Sequence, residues 1–189
     1  METVLPAFIV IILLLSATLM PAQHSLAAQD RIQLARQAVE ARLLERARTD
    51  LASVNAQVSD NGAVVDIRLR NAGQTRLADF DRWDVMIQYY DTAGTYHIVW
   101  LPYFEGGDPA NNEWAIEALY VEAAGSVPEI YEPGILNPAE EMVIRFRVSP
   151  AVGHETTNLA VLSTPNGLRL STYFIRPPLC IEAPLTPGC

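Results

Sequence analysis

A predominantly apolar stretch from Val4 to Ala22 constrains this chain more than any other feature. It contains no charged side chain, and the first basic residue of the chain is Arg31. Its length, ~19 residues, is about that of a helix that spans a bilayer. A secretory signal peptide would begin with a basic region, but residues 1–3 contain one acidic residue, Glu2, and no basic one. Residues 27–29 could nevertheless serve as a cleavage site. We therefore expect a retained helix rather than a discarded signal.

The following segment extends the helical pattern and adds a polar face. Residues 23–54 lack glycine and proline and are rich in strong helix formers. Apolar residues recur every three or four positions, namely Leu26, Ile32, Val39, Leu43, Ala47, Leu51 and Val54. A helix over residues 3–54 would be ~75–80 Å long, with a bend or local melting at Pro21. No small domain can bury such a helix along its whole extent, so its apolar half must contact lipid or other copies of the chain.

Beyond residue 59 the helical period gives way to alternation, which predicts half-buried strands. The residues predicted to point inward are Val65, Ile67, Leu69, Val85, Ile87, Tyr89, Met142, Ile144, Phe146 and Val148. Further strands are predicted over residues 96–101, 159–163 and 168–175, the last two joined by an Asn-Gly hairpin turn. Residues 114–123 fit either a strand or a helix, and their neighbours favour a strand. Six to eight short strands predict an antiparallel β-sandwich.

The predicted fold class is therefore α+β and lollipop-shaped. Residues 1–57 form a long apolar and amphipathic N-terminal α-helix, residues 58–176 an immunoglobulin-like antiparallel β-sandwich, and residues 177–189 a proline-rich tail. This tail holds the two cysteines of the chain, Cys180 and Cys189. We predict a small disulfide loop, with free thiols as the alternative, and a disulfide indicates an oxidising, extracellular location.

Composition and motifs argue against several functional classes. The net charge of -9 does not suit nucleic acid, which requires a basic face. His24, His97 and His154 are widely separated in the sequence, and no nucleophile elbow, phosphate-binding loop or HExxH motif occurs. Oxygen ligands cluster in residues 105–113 and could hold calcium, but their spacing differs from an EF-hand and a solvated loop is favoured. We predict no catalytic, cofactor or metal site, and we interpret the aromatic residues as core and interface packing.

Four short motifs resemble those of archaellins and the related archaellum stator proteins, within the type IV pilin superfamily. Residues 69–77 (LRNAGQTRL) are similar to the "strand, Asn-x-Gly, small polar, leucine" signature, and residues 84–90 to the piece that follows it. Residues 134–141 resemble the Asn-Pro-Gly-Glu turn, with Ala139 in place of the usual glycine, and residues 164–168 complete the set. The resemblance extends over most of residues 1–176. Many bacterial pilins have glutamate at the fifth position, where this chain has Leu5, and this favours the archaellin side.

The resemblance implies a non-enzymatic subunit of a helical surface filament, most simply a motility filament. The apolar helices would pack into a central bundle and the sandwiches would form an outer sheath. The implied filament-core residues are Val4, Leu5, Phe8, Ile9, Ile11, Ile12, Leu14, Leu15 and Leu19.

The resemblance also implies partners and a location. The precursor would lie in the inner or cytoplasmic membrane, a prepilin-type peptidase would remove a leader before Met1, and a separate motor or assembly ATPase would act on the subunits. Three alternatives stay open: a membrane-anchored stator-type protein that binds the cell envelope, an adhesive type IV pilin, and an exported binding domain with an uncleaved anchor.

Overall fold

The computed structural model describes residues 4–122 and 127–178 of the chain, without the side chains of residues 4–7, 15–28 and 122. The chain divides into two compact units, Met1–Leu44 and Glu45–Cys189. The described residues form one α-helix and two antiparallel β-sheets, so the predicted α+β class is confirmed. The predicted disulfide between Cys180 and Cys189 lies outside the described residues.

Helix α1 runs over Val4–Arg48 and has 45 residues. Its backbone stays helical through Pro21, so the local melting predicted there does not occur. A proline inside a helix removes one hydrogen-bond donor and bends the axis, and the bend expected at Pro21 stays a prediction. Among the described residues, no helix combines the length and the apolar character that crossing a membrane requires.

The end of α1 corrects the predicted helix boundary. Residues 51–57, which we expected in the helix, belong to strand β1 (Leu51–Ser59). The turn that ends the helix is closed by Thr49, whose Oγ1 donates to the Glu45 carbonyl at 2.8 Å. The helical spacing of apolar residues continues by coincidence into β1. The alternation of the strand itself is interrupted by a shift of register between Ser53 and Asn55, which hid it from the sequence pattern.

The remaining elements follow in chain order: β2 (Val64–Asn71), β3 (Asp84–Tyr90), β4 (Tyr96–Leu101), β5 (Glu113–Glu122), β6 (Val127–Pro128), β7 (Glu141–Arg147), β8 (Thr157–Ser163) and β9 (Arg169–Ile175), with short 3-10 turns at Asp60–Gly62 and Phe80–Arg82. The five-stranded sheet has the order β1-β2-β7-β5-β6 and the four-stranded sheet the order β4-β3-β8-β9. The predicted sandwich is confirmed, residues 114–122 are a strand, and β1 and β6 are strands that the sequence pattern missed.

The core lies between the two sheets. All ten residues predicted to point inward are buried, with exposed fractions of 0% or 1%. Strict alternation in β2, β3 and β7 fixes this result, because a strand shifted by one residue would turn every apolar side chain outward. Trp114, Leu101 and Leu136 complete the centre of the core. Each such side chain stabilises the fold by about 1.5–3 kcal/mol, so the sandwich has a substantial core of its own.

Candidate assembly surfaces

The N-terminal part of helix α1 presents an apolar surface on every side. Phe8 is 65% exposed, and the side chains of Ile9, Val10, Ile11 and Leu13 are each at least half exposed. Successive helical residues point about 100° apart, so these neighbours together cover the full circumference of the helix. A helix that is apolar all round is found buried, either in a protein core or in a membrane.

Five of the nine predicted filament-core residues have described side chains: Phe8, Ile9, Ile11, Ile12 and Leu14. They lie on consecutive turns of α1 and form a continuous surface rather than a pocket. The other four, Val4, Leu5, Leu15 and Leu19, are in the helical backbone, and their side chains are outside the described set. Packing of all nine in a filament stays a prediction.

The second half of the helix is also exposed on its apolar side. Ile32, Val39 and Leu43, which lie on one side of the helix, have exposed fractions between 52% and 60%, whereas Leu34 points to the opposite side. Ile32 and Val39 flank a shallow groove on the helix together with Ala35. Of the amphipathic stripe predicted from the sequence, Ile32, Val39 and Leu43 share one exposed side of the helix, whereas Leu51 and Val54 belong to strand β1.

The Asn-x-Gly motif forms a turn held by its own buried asparagine. Asn71 has no exposed surface, and its Nδ2 donates to the carbonyls of Thr75 at 2.8 Å and Leu136 at 3.0 Å. Its Oδ1 accepts the backbone N–H of Gly73 at 3.1 Å. One side chain thus satisfies three backbone groups, which explains on physical grounds why the motif needs asparagine here.

The same turn binds the last carbonyl of α1 and a carbonyl just beyond the helix. The Gln74 N–H donates to the Arg48 carbonyl at 2.7 Å, and the N–H groups of Ala72 and Gly73 donate to the Asp50 carbonyl at 3.0 and 3.1 Å. A Cβ atom at Gly73 would overlap the Asp50 amide nitrogen, so the close approach requires glycine. Carbonyls that a helix terminus leaves without partners are therefore satisfied by a motif far along the sequence.

The hairpin turn between β8 and β9 reaches the same place. Thr164 N–H donates to the Leu168 carbonyl at 3.0 Å, and Gly167 has a φ of 83°. The Nδ2 of Asn166 donates to the Oγ1 of the buried Thr49 at 2.9 Å. Two of the motifs that carry the family resemblance thus converge on residues 45–50, and their role there is structural.

The Asn137-Pro-Ala-Glu140 turn shows the effect of its missing glycine. Ala139 has a φ of 71°, in the left-handed region that favours glycine. The turn is held by the Ala139 N–H, which donates to the Asn71 carbonyl at 2.8 Å, and by Glu140, whose Oε2 accepts the Asn137 N–H at 2.7 Å. The bonds therefore hold a non-glycine residue in a conformation that costs about 1–2 kcal/mol.

We expect Ala139→Gly to stabilise the chain. Glycine adopts a φ of 71° without the steric cost of a Cβ, while it adds entropy to the unfolded chain, which offsets part of the gain. The net increase in the free energy of unfolding is about 0.5–1 kcal/mol. Urea denaturation of both chains measures it, with Ala151→Gly in the loop after β7 as a control, and a decrease for Ala139→Gly would contradict the strain.

The outer face of the five-stranded sheet carries charged side chains, and two of its arginines each pair with two carboxylates. Arg145 lies between Asp66 at 2.8 Å and Glu117 at 2.7 Å. The hydrogen bond to Asp66 is the main reason why the pKa of Arg145 is raised. Arg147 likewise bridges Asp60 and Asp108, each at 3.1 Å. This face therefore suits contact with water.

The residues considered for metal binding and catalysis do not form a site in the described ranges. Asp108 pairs with Arg147, and the Glu113 carboxylate accepts the Ala110 N–H at 3.1 Å. No group of three or more potential ligands lies together among the described residues. His97 and His154 occupy separate places, and the side chain of His24 is outside the described set.

A carboxylate–imidazole pair closes the turn after β3. The Oδ2 of Asp91 lies 2.9 Å from the Nε2 of His97, and its Oδ1 accepts the N–H groups of Ala93 and Thr95 at 2.8 Å. The His97 ring stacks on Tyr89 with a centroid distance of 5.1 Å. The hydrogen bond from His97, followed by the backbone N–H groups, lowers the pKa of Asp91.

This pair predicts a loss of stability in acid. Because the folded pKa of Asp91 is lowered from 3.8, its ionised form stabilises the fold above that value, and this contribution disappears as the pH falls through the folded pKa. Asp91→Asn should therefore be less stable than the unmodified chain at neutral pH, with a difference that shrinks below about pH 3.8. Denaturant titrations across pH measure this difference. A difference independent of pH would contradict the role of the charge.

No protein-family model and no curated protein matches the chain. Among solved structures, it is similar to the archaellum periplasmic stator protein FlaG from Sulfolobus acidocaldarius, with 18% sequence identity and a TM-score of 0.46. The match covers 67% of this chain and 99% of that one. The stator complex of FlaF and FlaG from the same organism gives 19% identity, a TM-score of 0.45, and coverage of 66% and 87%.

The archaeal flagellum of Methanospirillum hungatei strain JF1 gives a higher TM-score, 0.59, at 12% identity. That match covers 92% of this chain and 93% of the filament chain. The resemblance to archaellum components that the sequence indicated is therefore confirmed at the level of the fold, through the filament structure.

Proposed function

We propose that this chain is a structural subunit of an archaellum-like helical surface filament and polymerises through its N-terminal helix. The observation that carries the proposal is the apolar surface of α1 around Phe8, Ile9, Val10, Ile11 and Leu13, which is at least half exposed at every position. In water such a surface drives association. Burying the exposed half of each side chain contributes about 1 kcal/mol, and this gain recurs at every subunit contact in a filament.

A bundle of these helices would also satisfy the backbone. Every interior peptide group of a helix bonds within its own segment, so helices can pack together without water. A contact that repeats from copy to copy without closing on itself gives an open helical filament. The likeness in fold to an archaeal flagellum subunit over 92% of the chain supports the same assembly mode.

The family resemblance supplies the other parts of the proposal. The filament would lie outside the cell and serve motility, with torque from a separate motor ATPase. Before assembly the subunit would reside in the cytoplasmic membrane, after removal of a leader by a prepilin-type peptidase. The apolar sequence from Val4 to Ala22 supports the membrane stage, and the proposal assigns no reaction to the chain.

Electron microscopy of material sheared from the cell surface, with mass spectrometry of its N-terminus, tests this function. Filaments built mainly of this chain would support the filament role, and an N-terminus created by cleavage would support the processing step. If the chain is absent from the filaments and remains in the membrane fraction, the filament proposal is wrong and a stator-type role that binds the envelope replaces it. Membrane fractions probed for the chain provide the matched comparison.

A further inference from the structure

The outer face of the four-stranded sheet is apolar and exposed. Its side chains come from β3, β4 and β9, where alternate residues point away from the core. The large exposed members are Tyr90 (41%), Tyr96 (47%), Ile98 (60%), Trp100 (56%), Tyr173 (70%) and Ile175 (54%). The strand register brings them into one patch across the sheet, since Ile98 lies opposite Gln88, Gln88 opposite Leu159 of β8, and Leu159 opposite Tyr173. We call this patch the aromatic face.

The aromatic face is ordered within the chain. The rings of Tyr90 and Tyr96 are 5.0 Å apart. The Tyr96 hydroxyl donates to Gln88 Oε1 at 2.9 Å, and the Trp100 indole N–H donates to Asp84 Oδ1 at 3.2 Å. Side chains held in this way lose little rotamer freedom when they are covered, which favours binding.

The aromatic face also differs from the other outer face in charge. The four strands of its sheet contain one acidic residue, Asp84, and one basic residue, Arg169. The chain as a whole carries a charge of -9. Two copies therefore repel each other over most of their surface, while the aromatic face is electrically neutral and allows a second copy to approach.

The size of the aromatic face fits a specific interface. A full aromatic side chain has about 150–250 Å² of surface, so the exposed parts of the four aromatic residues give about 400 Å². Ile98, Ile175 and Met86 bring the apolar area toward the ~800 Å² that each partner contributes to a standard interface. Few monomers leave a patch of this size uncovered, because their largest apolar patches measure about 300–600 Å².

From these observations we infer that the aromatic face is a contact surface between the β-sandwiches of two copies of this chain. The choice of a second copy rests on the proposed function, because in a filament the neighbouring molecules are copies. The inference adds a second contact to the one made by the helices. The aromatic face forms this second contact, with Trp100 and Ile98 near its centre. The paired charges around Arg145 remain in water.

Sedimentation of the full chain in detergent, measured over a dilution series, tests the inference without requiring filaments. The chain used in this experiment carries the substitution Ile11→Asp, which removes the contact made by the helices. We expect this chain to associate reversibly. A central aromatic anchor typically dominates an interface, so adding Trp100→Glu should raise the dissociation constant at least ~30-fold. Ile98→Glu should have a similar effect, and it provides a second variant in case the first fails to fold.

Tyr131→Glu is the matched control, because Tyr131 is 86% exposed and lies outside the aromatic face. It introduces the same charge and should change the dissociation constant less than ~3-fold. Circular dichroism checks that each variant is folded. A monomer at every concentration, or an equal loss with Tyr131→Glu, would overturn the inference. Absence of the chain from sheared filaments would overturn the proposed function instead, so the two failures are distinguishable.

Discussion

A single charge in the apolar part of helix α1, Ile11→Asp, should abolish filament formation. Ile11 is 54% exposed in the isolated chain and belongs to the surface that the proposed bundle would bury. A carboxylate moved into a water-free bundle of apolar helices loses its hydration, at a cost of several kcal/mol even after relaxation. The same charge recurs in every subunit and therefore opposes every contact along the filament.

The expected result is a complete loss of sheared filaments by electron microscopy, with the chain still present in the cell. The β-sandwich has its own core, so its near-ultraviolet circular dichroism should be unchanged. Ile11→Leu is the matched control, since it conserves volume and apolarity and should retain filaments. Normal filaments from Ile11→Asp would show that assembly does not depend on burial of this surface.

The sandwich could be predicted in detail because its strands alternate clearly. Val65, Ile67 and Leu69 face the core with charged residues between them, and this pattern alone specifies which side of the strand is buried. The Asn-Gly step at residues 166–167 likewise predicted the hairpin between β8 and β9. Local chemistry decides both features, so a single sequence is sufficient.

Features that depend on distant partners could not be predicted in this way. The sequence gives no sign that the turn at Asn71 caps the carbonyl of Arg48, because the two groups meet only after folding. The aromatic face was missed for a related reason. Trp100 and Ile98 have the residue types of a core, and only the register of β3 and β4 shows that they point outward.

The corrected start of the sandwich leads to a second prediction with a large expected effect. A fragment that begins at Glu45, where the second unit begins, should fold. A fragment that begins at Val58, the boundary predicted from the sequence, should not. The difference is residues 45–57, which hold the last helical turn and seven of the nine residues of β1. Of the eight residue pairs that join β1 to β2, the shorter fragment keeps only those of Val58 and Ser59.

The residues removed contribute core packing and hydrogen bonds as well as an edge strand. Leu51 is 5% exposed in the core, worth about 1.5–3 kcal/mol, and each ladder hydrogen bond adds about 0.5–1.5 kcal/mol. Ser53 bonds to Thr172 of β9 at 2.7 Å, so β1 also reaches the other sheet. Removing residues 45–57 further exposes the turn at Gly73, whose amide donates to the Asp50 carbonyl.

The expected loss, at least ~5 kcal/mol, is comparable to the whole stability of a typical domain, ~5–15 kcal/mol. Urea denaturation should show a cooperative transition for residues 45–189 and none for residues 58–189. A third fragment that begins at Thr49 retains β1 but lacks the last helical turn, and it should unfold at an intermediate urea concentration. Equal transitions for all three would mean that the sandwich is complete without β1, and that the buried contacts of Leu51 add nothing to its stability.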